Sequence, residues 1–209
     1  MLDELVFVGG SVTGLLITDD AAGEPRSTLD VDAIVEITSY AQYTVFGERL
    51  RALGFTEDTS EGAPVCRWVQ RRTLLDVMPL DEGVFGFANR WHRAAMKTSV
   101  RPQLTEGLEV RMIAAPFFVA TKLEAFKGRG KGEVFSSAEI EDIVAVVDGR
   151  ATIVAEIQKQ TAELRTYRIN ALLMAGLLDA LPGYLSPDEA SQSRITTVLR
   201  RLEELASPS

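Results

Sequence analysis

Apolar and polar positions follow two different rhythms along this chain. In the first half, short apolar runs are cut by turn residues. Val6-Phe-Val8 leads straight into Gly9-Gly10-Ser11 and predicts a strand closed by a tight turn. Val12–Ile17 reads as a short apolar helix, and Asp19–Arg26, which holds Gly23 and Pro25, reads as a loop. Leu29–Ile37, rich in Val and Ile, predicts a second strand. Ser39 is placed to cap a helix running to about Leu53, with Tyr43, Phe46, Leu50 and Leu53 at helical spacing and Gly54 as its stop. Val65–Gln70, which includes Cys66, and Thr73–Met78 predict a hairpin around Arg71-Arg72. Asp81–Gly86 reads as turn, Asn89–Met96 as a short irregular helix, and Leu108–Ala114 as a further strand with Val110 and Met112 on one side.

From Pro116 the rhythm becomes helical. Val119, Ala120, Leu123 and Phe126 share one face behind a proline suited to a first helical turn. Ser136 or Ser137 is placed to cap a helix whose buried stripe is Ile140, Ile143, Val144 and Val147, ending at Gly149. Helical spacing continues over Ala151–Arg168, again from Ile169 to Leu181, and over Asp188–Leu205. The expected fold class is α/β (α+β), with a strand-bearing core over 1–115, a helical subdomain over 116–209, and an active site in the cleft between them.

The chemistry of the first half is acidic. Asp30 and Asp32 lie two apart on a strand and so point to one face. Two adjacent carboxylates repel unless a cation sits between them, and a hard divalent ion such as Mg²⁺ or Mn²⁺ is the usual one. Asp76, in the run Leu74-Leu-Asp-Val-Met78, supplies a third carboxylate. The competing readings are an edge strand with Asp30 and Asp32 in water, and a pairing of Asp76 with Arg71 or Arg72. Gly9 and Gly10 allow backbone N–H groups to approach an anion.

Composition narrows the partners. The 209 residues carry 30 acidic against 22 basic side chains, a net charge of −8 that disfavours nonspecific duplex DNA binding. No apolar run is long enough to span a membrane, and the start lacks the pattern of a signal peptide. Met1-Leu-Asp-Glu4 leads almost directly into the first strand, which leaves room for a natural start further upstream. One cysteine, Cys66, fits a reducing cytoplasm, and one histidine, His92, rules out a multi-histidine metal site.

Gly-Gly-Ser followed by Asp30-Val-Asp32, with a third aspartate on a later strand, resembles the nucleotidyltransferase superfamily of the polymerase-beta type. Phe118-Val-Ala-Thr-Lys-Leu-Glu-Ala-Phe-Lys-Gly-Arg-Gly130, with Ser137-Ala-Glu-Ile-Glu-Asp-Ile143 and Val147-Asp-Gly149, is similar to its AbiEii-type branch, which includes toxins of toxin–antitoxin and phage-defence systems. The resemblance covers roughly residues 5–150. It implies a nucleotidyltransferase-fold mixed sheet with flanking helices and a Mg²⁺-dependent transfer of a nucleoside monophosphate from an NTP to an acceptor hydroxyl. The acceptor it implies is an RNA or tRNA end or a protein, and an antitoxin protein is an implied partner. Carried onto this chain, Gly9, Gly10 and Ser11 hold phosphates; Asp30, Asp32 and Asp76 bind metal and act catalytically. Lys122 contacts the triphosphate, and the acidic pair Glu139 and Asp142 steadies either Lys122 or the sugar and base side of the nucleotide.

Lys122 and Arg129, seven apart, share a helix face, and Gly128-Arg-Gly-Lys-Gly132 reads either as a phosphate grip or as a soluble connection. Glu139 and Asp142 also read as an exposed acidic helix start. Ala138-Glu139 stands where the branch usually has His-Asp, which motivates a non-catalytic nucleotidyltransferase-like binding module as an alternative. A small-molecule nucleotidyltransferase of the antibiotic-modifying type is a third reading.

Overall fold

The strand-bearing residues build a mixed five-stranded sheet. The computed structural model describes residues 1–129, 134–167, 177–185 and 187–206. Strand β1 (Leu5–Val8) ends in a 3-10 turn at Gly10–Val12 that runs into α1 (Thr13–Leu16). Then come β2 (Asp30–Val35), α2 (Tyr40–Ala52), β3 (Thr56–Glu57), β4 (Arg67–Gln70) and β5 (Thr73–Pro79). The order across the sheet is β1-β2-β5-β4-β3. Only β2 and β5 run parallel; every other neighbour is antiparallel. A parallel pair requires a crossover, and the connection between β2 and β5 contains α2.

Alternation along the strands decides which face α2 covers. Ala33 and Val35 of β2, Leu75 and Val77 of β5, Trp68 of β4 and Leu5 of β1 form one core with Tyr43, Phe46 and Leu50 of α2. Trp68 Nε1 donates to the Tyr43 hydroxyl at 3.0 Å, which donates to the Val77 carbonyl at 3.2 Å. The two polar tips within this core thus satisfy each other. Gly47 allows the close approach, since a Cβ there would lie 2.8 Å from Trp68 Cη2. Ser39 caps α2 by accepting from the Gln42 N–H at 3.3 Å. The apolar stripe of α2 stops at Leu50, however, and Leu53 is exposed.

Three short elements differ from the sequence expectation. Asp81–Gly86 is not a simple turn: Asp81 caps a four-residue helix, α3 (Glu82–Phe85), followed by α4 (His92–Lys97). Within Leu108–Ala114 only β7 (Leu108–Glu109) is a strand, paired with β6 (Gln103–Thr105). Met112 instead makes single bridges to Phe7 and Val100, which buries it without a ladder. Cys66 is buried in the turn before β4 rather than in the strand.

The chain divides into two compact units, one of Met1–Val12 with Ser27–Ala114, the other of Thr13–Arg26 with the residues from Ala115 on. Thr13–Arg26, expected with the strands, groups with the helices because its backbone bonds there. The Thr18 and Asp19 N–H groups donate to the Gly149 carbonyl at 2.8 and 3.0 Å. The helical unit contains α5 (Ala115–Arg129), α6 (Ala138–Gly149) and α7 (Ile153–Gln158), and later the helix Ile195–Ala206. The single helix expected over 151–168 is broken after α7, and the one expected over 188–205 is broken at Arg194. At that break the Arg194 guanidinium bonds Asp148 Oδ1 at 2.6 Å and Asp19 Oδ2 at 2.7 Å. The part of the expected Ile169–Leu181 helical run from Ile169 to Gly176 lies outside the described residues. No described helix is long and apolar enough to cross a membrane.

Candidate functional site

The face of the sheet away from α2 carries a row of charged side chains. Asp30 and Asp32 project there because their neighbours Val31, Ala33 and Val35 project toward α2. Register does the rest: Val8 pairs with Asp32, Asp32 with Asp76, and Asp76 with Arg67. Four strands thus place Val8, Asp32, Asp76 and Arg67 side by side, with Asp30 one step along β2. Both β2 and β5 are interior strands, so the edge-strand alternative for the aspartates does not hold.

Arg67 is the hub of this row, and it was absent from the predicted site. Its Nε donates to Asp76 Oδ1 at 2.8 Å, and one terminal nitrogen reaches Asp76 Oδ2 at 2.7 Å and Asp30 Oδ2 at 2.9 Å. The Thr28 hydroxyl donates to the other Asp30 oxygen at 2.8 Å. The fork-to-carboxylate hydrogen bonds of Asp76 raise the Arg67 pKa further and fix its positive charge. Asp76 therefore pairs with neither Arg71 nor Arg72; Arg71 sits in the turn with φ 55°. The correct partner was recoverable, since counting back from a two-residue turn at Arg71-Arg72 sets Arg67 opposite Asp76. Beside the row, burial pushes the Cys66 thiol up to about 12, helped by the Asp76 and Asp32 charges, so it is an inert core residue.

The Gly-Gly-Ser turn meets the acidic row directly. Gly9 has φ +70°, and a Cβ built there would lie 1.9 Å from Asp32 Oδ2. The Asp32 carboxylate thus packs against main chain that only glycine leaves bare. Gly10 is buried, and Ser11 spends its hydroxyl within the turn by donating to the Val8 carbonyl at 3.3 Å.

In the helical unit a second charged cluster forms around Asp142. Lys122 Nζ lies 2.5 Å from Asp142 Oδ2. Arg26 Nε and a terminal nitrogen donate to Asp142 Oδ1 and Oδ2 at 3.0 and 3.1 Å. Asp142 is 1% exposed, which overturns its reading as part of a solvated acidic helix start. The two partners are what make its burial tolerable. Burial works against the Arg26 charge, but its Asp142 hydrogen bonds and charge outweigh that and leave its pKa raised. No periodic signal marks Arg26, which lies in a polar loop. Glu139, three residues before Asp142, accepts instead from the hydroxyl of Ser137, the N-cap of α6, at 3.1 Å. The Arg129 side chain and residues 130–133 lie outside the described residues, and with them the expected Lys122/Arg129 face and most of the Gly128–Gly132 loop.

The donor chemistry of Asp30, Asp32 and Asp76 suits a hard divalent cation. Their arrangement does not. Among the described residues no three His, Cys, Asp or Glu side chains are grouped so as to hold an ion. Arg67 accounts for this, because it takes both oxygens of Asp76 and one of Asp30. What the row offers as it stands is a line of carboxylates, two of them held by Arg67, beside a glycine turn. What the helical cluster offers is two cations sharing one buried anion. No protein-family model matches the chain, and no curated protein matches its sequence.

Proposed function

We propose that this protein is a nucleotidyltransferase of the polymerase-beta type, akin to the AbiEii-like toxins. It would transfer a nucleoside monophosphate from an NTP to an acceptor hydroxyl and release pyrophosphate. One observation carries the reading: the Gly9 main chain lies against the Asp32 carboxylate, so the two halves of the sequence motif are neighbours in space. The five-stranded mixed sheet is compatible with the fold that this reading requires.

On this reading the Gly10 and Ser11 N–H groups bind phosphate oxygens, and a carboxylate of the acidic row takes the acceptor's proton. A bond forms from the acceptor oxygen to the α-phosphorus as the bond from that phosphorus to the pyrophosphate oxygen breaks. In the helical unit, Lys122 is the cation that the resemblance assigns to the nucleotide, and Asp142 holds its ammonium in place. Mg²⁺ or Mn²⁺ is the cation the reading calls for, and it would add charge neutralisation at the phosphates. The acceptor is an RNA end or a protein hydroxyl, an antitoxin is the expected partner, and the setting is the cytoplasm.

A second reading, a nucleotidyltransferase-like module without turnover, is favoured by Arg67, which holds Asp76 by both oxygens. Labelled NTPs, Mg²⁺ and either total RNA or lysate separate the two. Label in RNA or protein that is lost in Asp32→Asn supports transfer. Label in a small molecule moves the activity to the antibiotic-modifying type. No incorporation from any NTP, in wild type as in Asp32→Asn, leaves the binding module.

A further inference from the structure

We propose that the exposed face of α4, with the ring of Phe87 ahead of it, is a docking surface for single-stranded RNA. The inference rests on the nucleotidyltransferase reading only in choosing RNA over DNA. The surface uses none of the residues of the acidic row or of the Asp142 cluster.

Charge sets this stretch apart. No acid lies between Glu82 and Glu106, the longest acid-free interval in a chain of net charge −8, and the interval holds Arg90, Arg93, Lys97 and Arg101. Elsewhere cations find carboxylates, as Arg26, Arg49, Arg51 and Arg67 do. Arg101 also does so, on Asp3 at 2.8 Å. Arg93 and Lys97 are exposed, and their side chains make no ion pair or hydrogen bond among the described residues. They lie four apart on a helix whose His92, Ala95 and Met96 are buried, so both face solvent from one side, about 5–6 Å apart at Cβ. Like charges at that spacing repel, and an anion lying across them turns the repulsion into attraction. Just before α4, exposed Arg90 has its guanidinium 5.0 Å from the centre of the Trp91 ring, which holds a third cation on this segment.

The aromatic part is built as well. Phe87, 46% exposed, stacks on Phe85 at 6.3 Å with 24° between the rings, and Phe85 meets the buried Tyr43 edge-on at 4.6 Å. The Phe87 ring is thus held by the fold while nearly half of it faces water, which is what an unpaired base needs in order to stack. A duplex hides its base faces and calls for many neutralised phosphates, so three cations and one ring suit a single strand. The helix α4 packs against β2, the strand of Asp30 and Asp32, and so belongs to the unit that bears the acidic row.

The test is binding of a fluorescent, unpaired RNA of about ten nucleotides to the full chain without NTP, followed by anisotropy over a range of salt. For wild type, log K should fall against log salt with a slope of about −2, from three phosphates at about 0.7 each. Arg93→Gln/Lys97→Gln should bind at least about tenfold more weakly, with a slope of about −0.7. Phe87→Ala should also lose about tenfold but keep the wild-type slope, because stacking releases no counter-ions. Should Phe87→Ala not fold, Phe87→Leu carries the same expectation. Saturable binding absent from wild type overturns the proposal, and so does wild-type affinity in either variant. Displacement of the RNA by duplex RNA or by polyglutamate as readily as by unlabelled single strand overturns it too, as does tighter binding of DNA of the same sequence. Weakened binding by both variants, with no label passed from any NTP to RNA, upholds the surface and fails the transfer reading. Label transfer to RNA with binding unchanged in the variants does the reverse.

Discussion

In the sheet, carboxylates share one arginine; in the helices, two cations share one carboxylate. The first cluster stands partly in water, with the Asp30 side chain 35% exposed. The second gathers Lys122 and Arg26 around an aspartate that water hardly reaches. Equal counts of ion pairs would conceal this difference. An exposed pair is screened and its members can change partners, whereas a buried anion that loses its cations, or the reverse, leaves charge without solvent. The Arg67 pairings are therefore partly screened by water, whereas the Asp142 cluster fixes two cations in place.

The strongest way to break this contrast is to remove Asp142. Asp142→Ala would leave the Lys122 side chain, 11% exposed, without its carboxylate and is expected to cost about 3–5 kcal/mol in denaturant unfolding. Lys122→Met, which fills the space with an apolar chain and leaves Arg26 on Asp142, is expected to cost about 1 kcal/mol. If Asp142→Ala costs no more than Lys122→Met, the cluster behaves like a surface pair and the contrast fails.

The next effect is set by pH and has to be separated before the two clusters are titrated. His92 is buried on α4, its Nδ1 has no hydrogen-bond partner, and burial lowers its pKa to about 4. The unfolded chain binds that proton near the ordinary value of 6.5, so it holds more protons than the folded chain between the two. Stability is fully present above about 6.5 and falls as pH drops toward 4, by about 3 kcal/mol in all. His92→Gln should flatten that segment of a stability–pH profile. A profile left unchanged would mean that the imidazole is solvated.

A smaller effect sharpens the sheet side. Gly9→Ala combines a positive φ with a Cβ 1.9 Å from Asp32 Oδ2, and is expected to cost about 2–3 kcal/mol. The same Cβ would also lie 2.8 Å from the Cβ of Asp32, so only Asp32→Gly clears the collision. Gly9→Ala with Asp32→Gly should therefore lose less than the sum of the two single changes in thermal melts. Additive losses would mean that turn and strand do not touch.

These contacts also mark the limit of what could be read from the residues alone. The Asp30/Asp32 pair was legible because alternation along a strand is local, and α2 was legible from its cap and its stripe. The Arg67–Asp76 pairing needs only hairpin arithmetic, although the turn residues Arg71 and Arg72 lie nearer to Asp76 in sequence. The meeting of Gly9 with Asp32 follows from the motif only by resemblance, and that of Arg26 with Asp142 was not legible. Each joins residues far apart in sequence, through register or helix packing that no periodicity records. Met112 failed for a related reason: burial without a ladder looks like a strand in hydropathy.

Glu139 gives the smallest effect and the sharpest test of that lesson. Its spacing from Asp142 puts both acids on one helix face and suggested one shared duty. Asp142 took the cations, and Glu139 instead meets the N-cap hydroxyl of α6. Ser137 still accepts from the Ile140 N–H at 3.3 Å, so the cap does not depend on Glu139. Glu139→Gln keeps an oxygen for the Ser137 hydroxyl and removes a charge near a helix start and within reach of Arg26, a change of about 0.5 kcal/mol. A loss approaching that of Asp142→Ala would mean that Glu139 also holds Lys122 or Arg26, and the helical cluster would then be a balanced network rather than a basic one.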